Sequence, residues 1–148
     1  MLISNGFEIS ASALTAQRLR MDVIASNIAN AETTRARFVD GRWEPYRRKM
    51  VEFRPIRPSF DALLRQAAGE TPGEGVRVAR IVEDRTPFKL VYLPSHPDAD
   101  EDGYVRMPNV DLVKEMVDLI SATRSYEANV TALNAAKAMV TKALEIGR

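Results

Sequence analysis

The densest run of potential ligands is Asp98-Ala99-Asp100-Glu101-Asp102-Gly103, which matches the first six positions of a twelve-residue calcium loop. The match then fails. The ninth position is Arg106, a cation among would-be cation ligands, and the twelfth, where a bidentate glutamate belongs, is Asn109. Pro94 and Pro97 also deny the entering helix. An acidic turn is the expected reading. His96, the one histidine, stands between Ser95 and Pro97. A Ser95-His96-Asp98 triad is geometrically empty, because adjacent residues seldom face one another as catalytic groups must. The chain has no cysteine, no glycine-rich phosphate loop, no nucleophile elbow and no metal-spaced histidines. The residues therefore point to no enzyme, no catalytic set, no metal and no cofactor.

A second charged region runs from Arg35 to Arg57. Arg35, Arg37, Arg42, Arg47, Arg48, Lys49, Arg54 and Arg57 outnumber Asp40, Glu44 and Glu52, and Phe38, Trp43, Tyr46 and Phe53 are interleaved with them. Basic residues mixed with aromatics can grip single-stranded nucleic acid by phosphate contact and stacking. No recognition helix accompanies them. The acidic run offers a counterpart, so Arg47, Arg48 and Lys49 with Asp98, Asp100 and Asp102 are candidates for charged contacts within or between chains.

The elements that must position these residues are two long helices. Apolar residues recur every seventh position at Phe7, Leu14, Met21 and Ile28, and again at Leu112, Leu119, Tyr126, Leu133 and Val140. Ile24 completes the front seam, while Met116, Val130 and Leu144 complete the back one, at alternating steps of three and four. Ser10, Gln17, Thr123 and Lys137 interrupt the pattern. Asn5 with Glu8 suits a capping box for the front helix, which should run to about Asn30. Asn109 suits the cap of the back helix, with Asp111 in its first turn. The back helix starts with a wider apolar face, where Val113, Val117 and Ile120 flank the seam.

The expected fold is mainly α with a small β part: residues 1–34 and 107–148 form terminal helices paired as a coiled coil, and residues 35–106 form an irregular middle. Within that middle, Val76–Ile81 and Phe88–Tyr92 alternate as two strands joined across Asp84–Pro87 in a short β-hairpin, and Lys49–Phe53 suits a third strand. A short helix over Phe60–Ala68 is expected before the Glu70–Gly75 linker. A back helix of some 57 Å, at ~1.5 Å per residue, exceeds the diameter of a compact globule of this length, about 40 Å. Its seam therefore calls for cover by another chain.

The 148 residues carry a net charge of +1, which implies no global attraction to nucleic acid or an acidic membrane. No apolar run is long enough for a membrane span, and no cleaved secretory signal is visible. On these grounds alone, a small cytoplasmic coiled-coil adaptor with a basic nucleic-acid-binding segment is the alternative reading.

One stretch narrows the choice. Asn27-Ile28-Ala29-Asn30-Ala31-Glu32-Thr33-Thr34, with Asn27, Asn30 and Thr33 as its signature, resembles the end of the N-terminal helix of bacterial flagellar rod and hook proteins. Pro45–Lys49, Thr86–Tyr92, His96–Asp100, Gly103–Val105, Ser125–Val130 and Leu144–Arg148 are similar to that family in the same order. Arg54–Gly75 matches no pattern of it. The resemblance implies a structural subunit of the proximal rod of the basal body, which spans the periplasm and transmits torque. It further implies helical assembly with its own copies and other rod proteins, and passage through the flagellar type III export apparatus without a cleaved signal. Under it, neither nucleic acid nor membrane insertion is a partner.

Overall fold

The computed structural model describes residues 2–39, 41–56, 64, 67 and 75–146. Helix α1 spans Leu2–Ala29. Among the described residues six short strands follow: β1 Arg37–Val39, β2 Arg42–Glu44, β3 Lys49–Pro55, β4 Val76–Glu83, β5 Lys89–Tyr92 and β6 Tyr104–Met107. Helix α2 spans Leu112–Ile146.

The most extensive packing is between the two helices. As α1 advances from Met21 to Asn27, its partners on α2 retreat from Thr123 to Glu115, so the helices run antiparallel. The most deeply buried residues of this contact coincide with the sevenfold seam only at Ile24. Ala16, Val23, Ile24 and Asn27 are buried on α1, and Glu115 and Ala122 on α2. Small residues at Ala16 and Ala122 permit close approach, which a count of bulky apolar residues overlooks. Phe7, Leu14, Met21, Ile28, Leu119, Tyr126, Val130, Leu133 and Val140 are half-buried along its flanks. Leu112, Met116 and Leu144 lie on the surface.

Both helix starts differ from expectation. α1 already includes Leu2, so Asn5 and Glu8 sit inside the helix; nothing in Leu2-Ile3-Ser4 opposes continuation upstream of the expected cap. On α2 the cap is Asp111, whose Oδ1 accepts from Val113 N at 3.0 Å and Lys114 N at 3.3 Å. Asn109 is used elsewhere, as described below.

The strands form three separate antiparallel pairs, β1 with β2, β3 with β4, and β5 with β6. The expected hairpin of Val76–Ile81 with Phe88–Tyr92 does not form. β4 pairs instead with β3, where Val51 faces Ile81 and a bulge at Glu52/Phe53 skips Ala79. β5 pairs with β6, Tyr92 facing Tyr104. Alternation identifies strands but leaves the partner open. Here Asp84 N donates to Arg48 O, which prolongs the β3–β4 pairing, and Asn109 Nδ2 donates to Asp84 O and Thr86 Oγ1. Gly41 is the second residue of the two-residue gap between β1 and β2, and Gly103 leads into β6, both at φ +80 where glycine is least strained. The expected Phe60–Ala68 helix lies outside the described residues, apart from Leu64 and Ala67, which are helical.

Candidate functional site

The polar centre of the molecule is built from three segments remote in sequence. Asn27 comes from the last turns of α1, Tyr46, Arg48 and Lys49 from the entry to β3, and Asn109, Glu115 and Asp118 from the approach to α2 and its first turns. Asn27 is 1% exposed and Glu115 fully buried.

Asn27 uses its whole amide. Nδ2 donates to Lys49 O at 2.8 Å and to Glu115 Oε2 at 2.9 Å. Oδ1 accepts from Lys49 N at 2.9 Å and Tyr46 Oη at 3.0 Å. The paired backbone bonds make Asn27 a substitute strand residue against β3, tying helix to sheet. Glu115 is the harder group to bury, since an unpaired carboxylate loses several kcal/mol of hydration. Its second oxygen accepts from Arg48 Nε at 2.6 Å. Arg48 also reaches Asp118 at 3.4 Å and Asp84 at 3.6 Å, and Asp118 is met from the other side by Arg20 at 3.5 Å. Asn109 Oδ1 accepts from Arg48 N at 2.8 Å, fixing the backbone that presents the guanidinium.

The electrostatics follow from this crowding. Burial opposes the charge of Arg48, yet the hydrogen bond and charge of Glu115, with Asp84 and Asp118, hold its pKa above the ordinary arginine value. The Asp84 carboxyl is held below its usual range, first by the Thr86 backbone N–H and then against burial by the Thr86 hydroxyl and Arg48. A cavity of about 300 Å³ adjoins the clasp, with Val23, Ile24, Val51 and Phe53 among its walls. The arrangement contains no nucleophile poised beside a base. What it can do is clamp α1, β3 and α2 in one register.

The expected charged contacts are redistributed. Asp98 pairs within its own chain, its Oδ1 accepting from Arg35 Nε at 2.6 Å and its Oδ2 from Thr34 Oγ1 at 2.8 Å. Those two partners lower its pKa, the Arg35 hydrogen bond first. His96 serves the turn, its Nδ1 accepting from Asp98 N. Asp100 and Asp102 are exposed. Arg47 lies 4.3 Å from the Phe88 ring and Lys49 5.6 Å from the Tyr46 ring. Asn30 and Thr33 bond to each other and shape the exit from α1, where Thr33 O accepts from Tyr46 N. Glu115 was not singled out from the sequence, although an acid two turns before Ala122 on one helix face is the signal that could have found it.

Two family sequence models match the chain. One, described as flagella basal body rod protein, matches residues 7–37, and the other, described as flagellar basal body rod FlgEFG protein C-terminal, matches residues 101–146. They cover most of α1 and all of α2. The curated flagellar basal-body rod protein FlgC of Bacillus subtilis (strain 168) is 57% identical, with both chains covered in full. This chain belongs to the FlgC family of flagellar basal-body rod proteins. The FlgC protein of Salmonella typhimurium is 47% identical over the whole of both chains. That of Borreliella burgdorferi is 46% identical over 99% of this chain and 98% of its own. Within this chain, the signature residue Asn27 is the hub that carries the C-terminal end of α1 onto β3 and α2.

Proposed function

We propose that this chain is a structural subunit of the proximal rod, whose helix pair packs beside those of neighbouring subunits in an axial core while the strand pairs face outward or wedge between subunits. The observation that carries the reading is the division of labour on α2. Its buried face is clamped to α1 through Glu115 and Ala122, while Val113, Met116, Val117 and Ile120 remain exposed on the same turns. A helix apolar on two faces is covered on both in its working state. The role is mechanical: torque passes through such contacts, and burial of apolar surface at ~25 cal/mol per Å² stabilises the assembled state. Heterologous contacts leave the array open along its axis.

Assembly with its own copies and other rod proteins, export through the flagellar type III apparatus without a cleaved signal, and residence in the periplasm-spanning basal body belong to this reading. Phe7, Leu14, Met21, Leu119, Tyr126, Leu133 and Val140 serve as core contacts within and between subunits, and Leu112, Met116 and Leu144 between subunits. The nucleic-acid alternative loses support from the ion pairs, because Arg35, Arg37, Arg48 and Arg54 are each engaged by a carboxylate of the same chain. Among the described residues no helix is long and apolar enough to cross a membrane.

A Leu133→Asp variant tests the reading in cells. Motility should be lost, electron microscopy should show basal bodies arrested at the rod, and the variant should still be exported. Complete rods containing Leu133→Asp chains would overturn it.

A further inference from the structure

Two exposed apolar faces lie at the same end of the molecule. The first is the stripe Val113, Met116, Val117 and Ile120, each 56% to 72% exposed. These residues repeat at three and four positions and sit roughly 160° around α2 from Glu115 and Ala122, at ~100° per residue. The second is the outer face of the β5–β6 pair, formed by Leu90, Tyr92, Tyr104 and Arg106, whose opposite face buries Val105. Tyr92 and Tyr104 meet edge to face at 5.3 Å, which makes a firm aromatic platform. Lys89 Nζ donates to Val110 O at 2.7 Å, so the base of this hairpin stands beside the start of α2.

The charges at the two ends of each face are opposite in order. Along the hairpin, Arg106 stands opposite Leu90 at the base, the tyrosines follow, and Asp100, Glu101 and Asp102 lie beyond Tyr104. Along α2, Asp111 precedes the stripe and Arg124 follows it. Laid together, Arg106 meets Asp111, Leu90 meets Val113, the tyrosines meet Met116, Val117 and Ile120, and the acidic turn meets Arg124. The lengths suit one another. The stripe with its flanking charges spans about 20 Å of helix, and the hairpin from Arg106 to Asp102 about 13 Å of strand, extended at either end by long side chains.

We infer that the β5–β6 face of one copy of this chain docks on the α2 stripe of a second copy, building a heterologous contact that joins subunits side by side. The inference rests on the rod-subunit reading and names one interface within it. Each copy offers its hairpin to one neighbour and its helix to the other, and because the two faces are different the contact is heterologous and propagates from copy to copy.

The cysteine-free chain makes the test clean. Full-length chain carrying Tyr92→Cys and Val117→Cys replaces the native copy in flagellated cells, and basal bodies are isolated, oxidised and run on a non-reducing gel. The expected result is loss of the monomer band to a ladder of dimers and higher multimers of this chain alone, with neither single variant giving one. Leu90→Cys with Val113→Cys repeats the test should the first pair disturb folding. Chains present in basal bodies but uncrosslinked, linked to a different protein, or stopping at a dimer would overturn the interface and leave the rod-subunit reading standing. Absence of the unaltered chain from basal bodies would overturn both.

Discussion

Asn27 Nδ2 donates to Glu115 Oε2 across 2.9 Å, bridging two helices through residues 88 apart in sequence. Because Glu115 is fully buried, its carboxyl oxygens find their hydrogen-bond partners in this bond and in Arg48 Nε at 2.6 Å. The pair is thus the point where the helix contact and the strand layer become one structure.

Removing Arg48 should be costly. Arg48→Ala leaves the Glu115 carboxylate buried with Asn27 alone, a loss of about 3–5 kcal/mol. Pairing Arg48→Met with Glu115→Leu should recover most of it, because no fully buried charge is then stranded and Asp84 and Asp118 keep solvent or other partners. Urea unfolding of the purified chain followed by circular dichroism measures both; equal losses in the two variants would show that shape, and not the ion pair, governs the clasp.

Asp111→Ala should lower stability by about 1 kcal/mol through loss of the cap at Val113 N and Lys114 N. Asn109→Ala should have a different signature. It releases Arg48 N, Asp84 O and Thr86 Oγ1 at once, so hydrogen exchange should quicken around Arg48 and Asp84 while the first turn of α2 is unaffected.

Gly103→Ala adds a Cβ at φ +80 that would meet Tyr92 Cε2 at 2.9 Å and Pro94 Cβ at 3.3 Å. The expected cost is about 1–3 kcal/mol, read as a lower melting temperature. Gly41→Ala shares the φ but meets nothing within 4 Å, so its loss should be the smaller of the two.

Asp98 supplies a pH dependence with a definite sign. Arg35 first, then Thr34, hold its folded pKa below the ordinary carboxylate value. Its contribution is therefore fully present above the unfolded value of about 3.9 and is lost as pH falls through the lower folded value. Thermal melts on a descending pH series should steepen in this acid range. Asp98→Asn should flatten that limb and leave the melt near neutrality only slightly lowered, since the Arg35 pair is largely exposed.

Much of the architecture was legible in the residues. Helical periodicity located both helices to within a few positions, and the signature Asn27, Asn30 and Thr33 marked where α1 ends. Strand alternation found β3, β4 and β5. The partners were not legible, because period-two alternation states which residues share a face and nothing about which strand lies alongside. The clasp escaped for a related reason. A buried glutamate reads as surface charge until its arginine and asparagine are brought to it.

What the sequence by itself determined is therefore local: two amphipathic helices, short strands, an acidic turn, and a motif order specific enough to identify the family. Only the tertiary structure decided which helix face turns inward. Ala16, Ala122, Asn27 and Glu115 are buried there with Val23 and Ile24, and most other sevenfold residues lie half-buried beside them, because small residues allow close approach and the buried polar groups have their hydrogen bonds satisfied. The apolar start of α2 is consequently left on the outside.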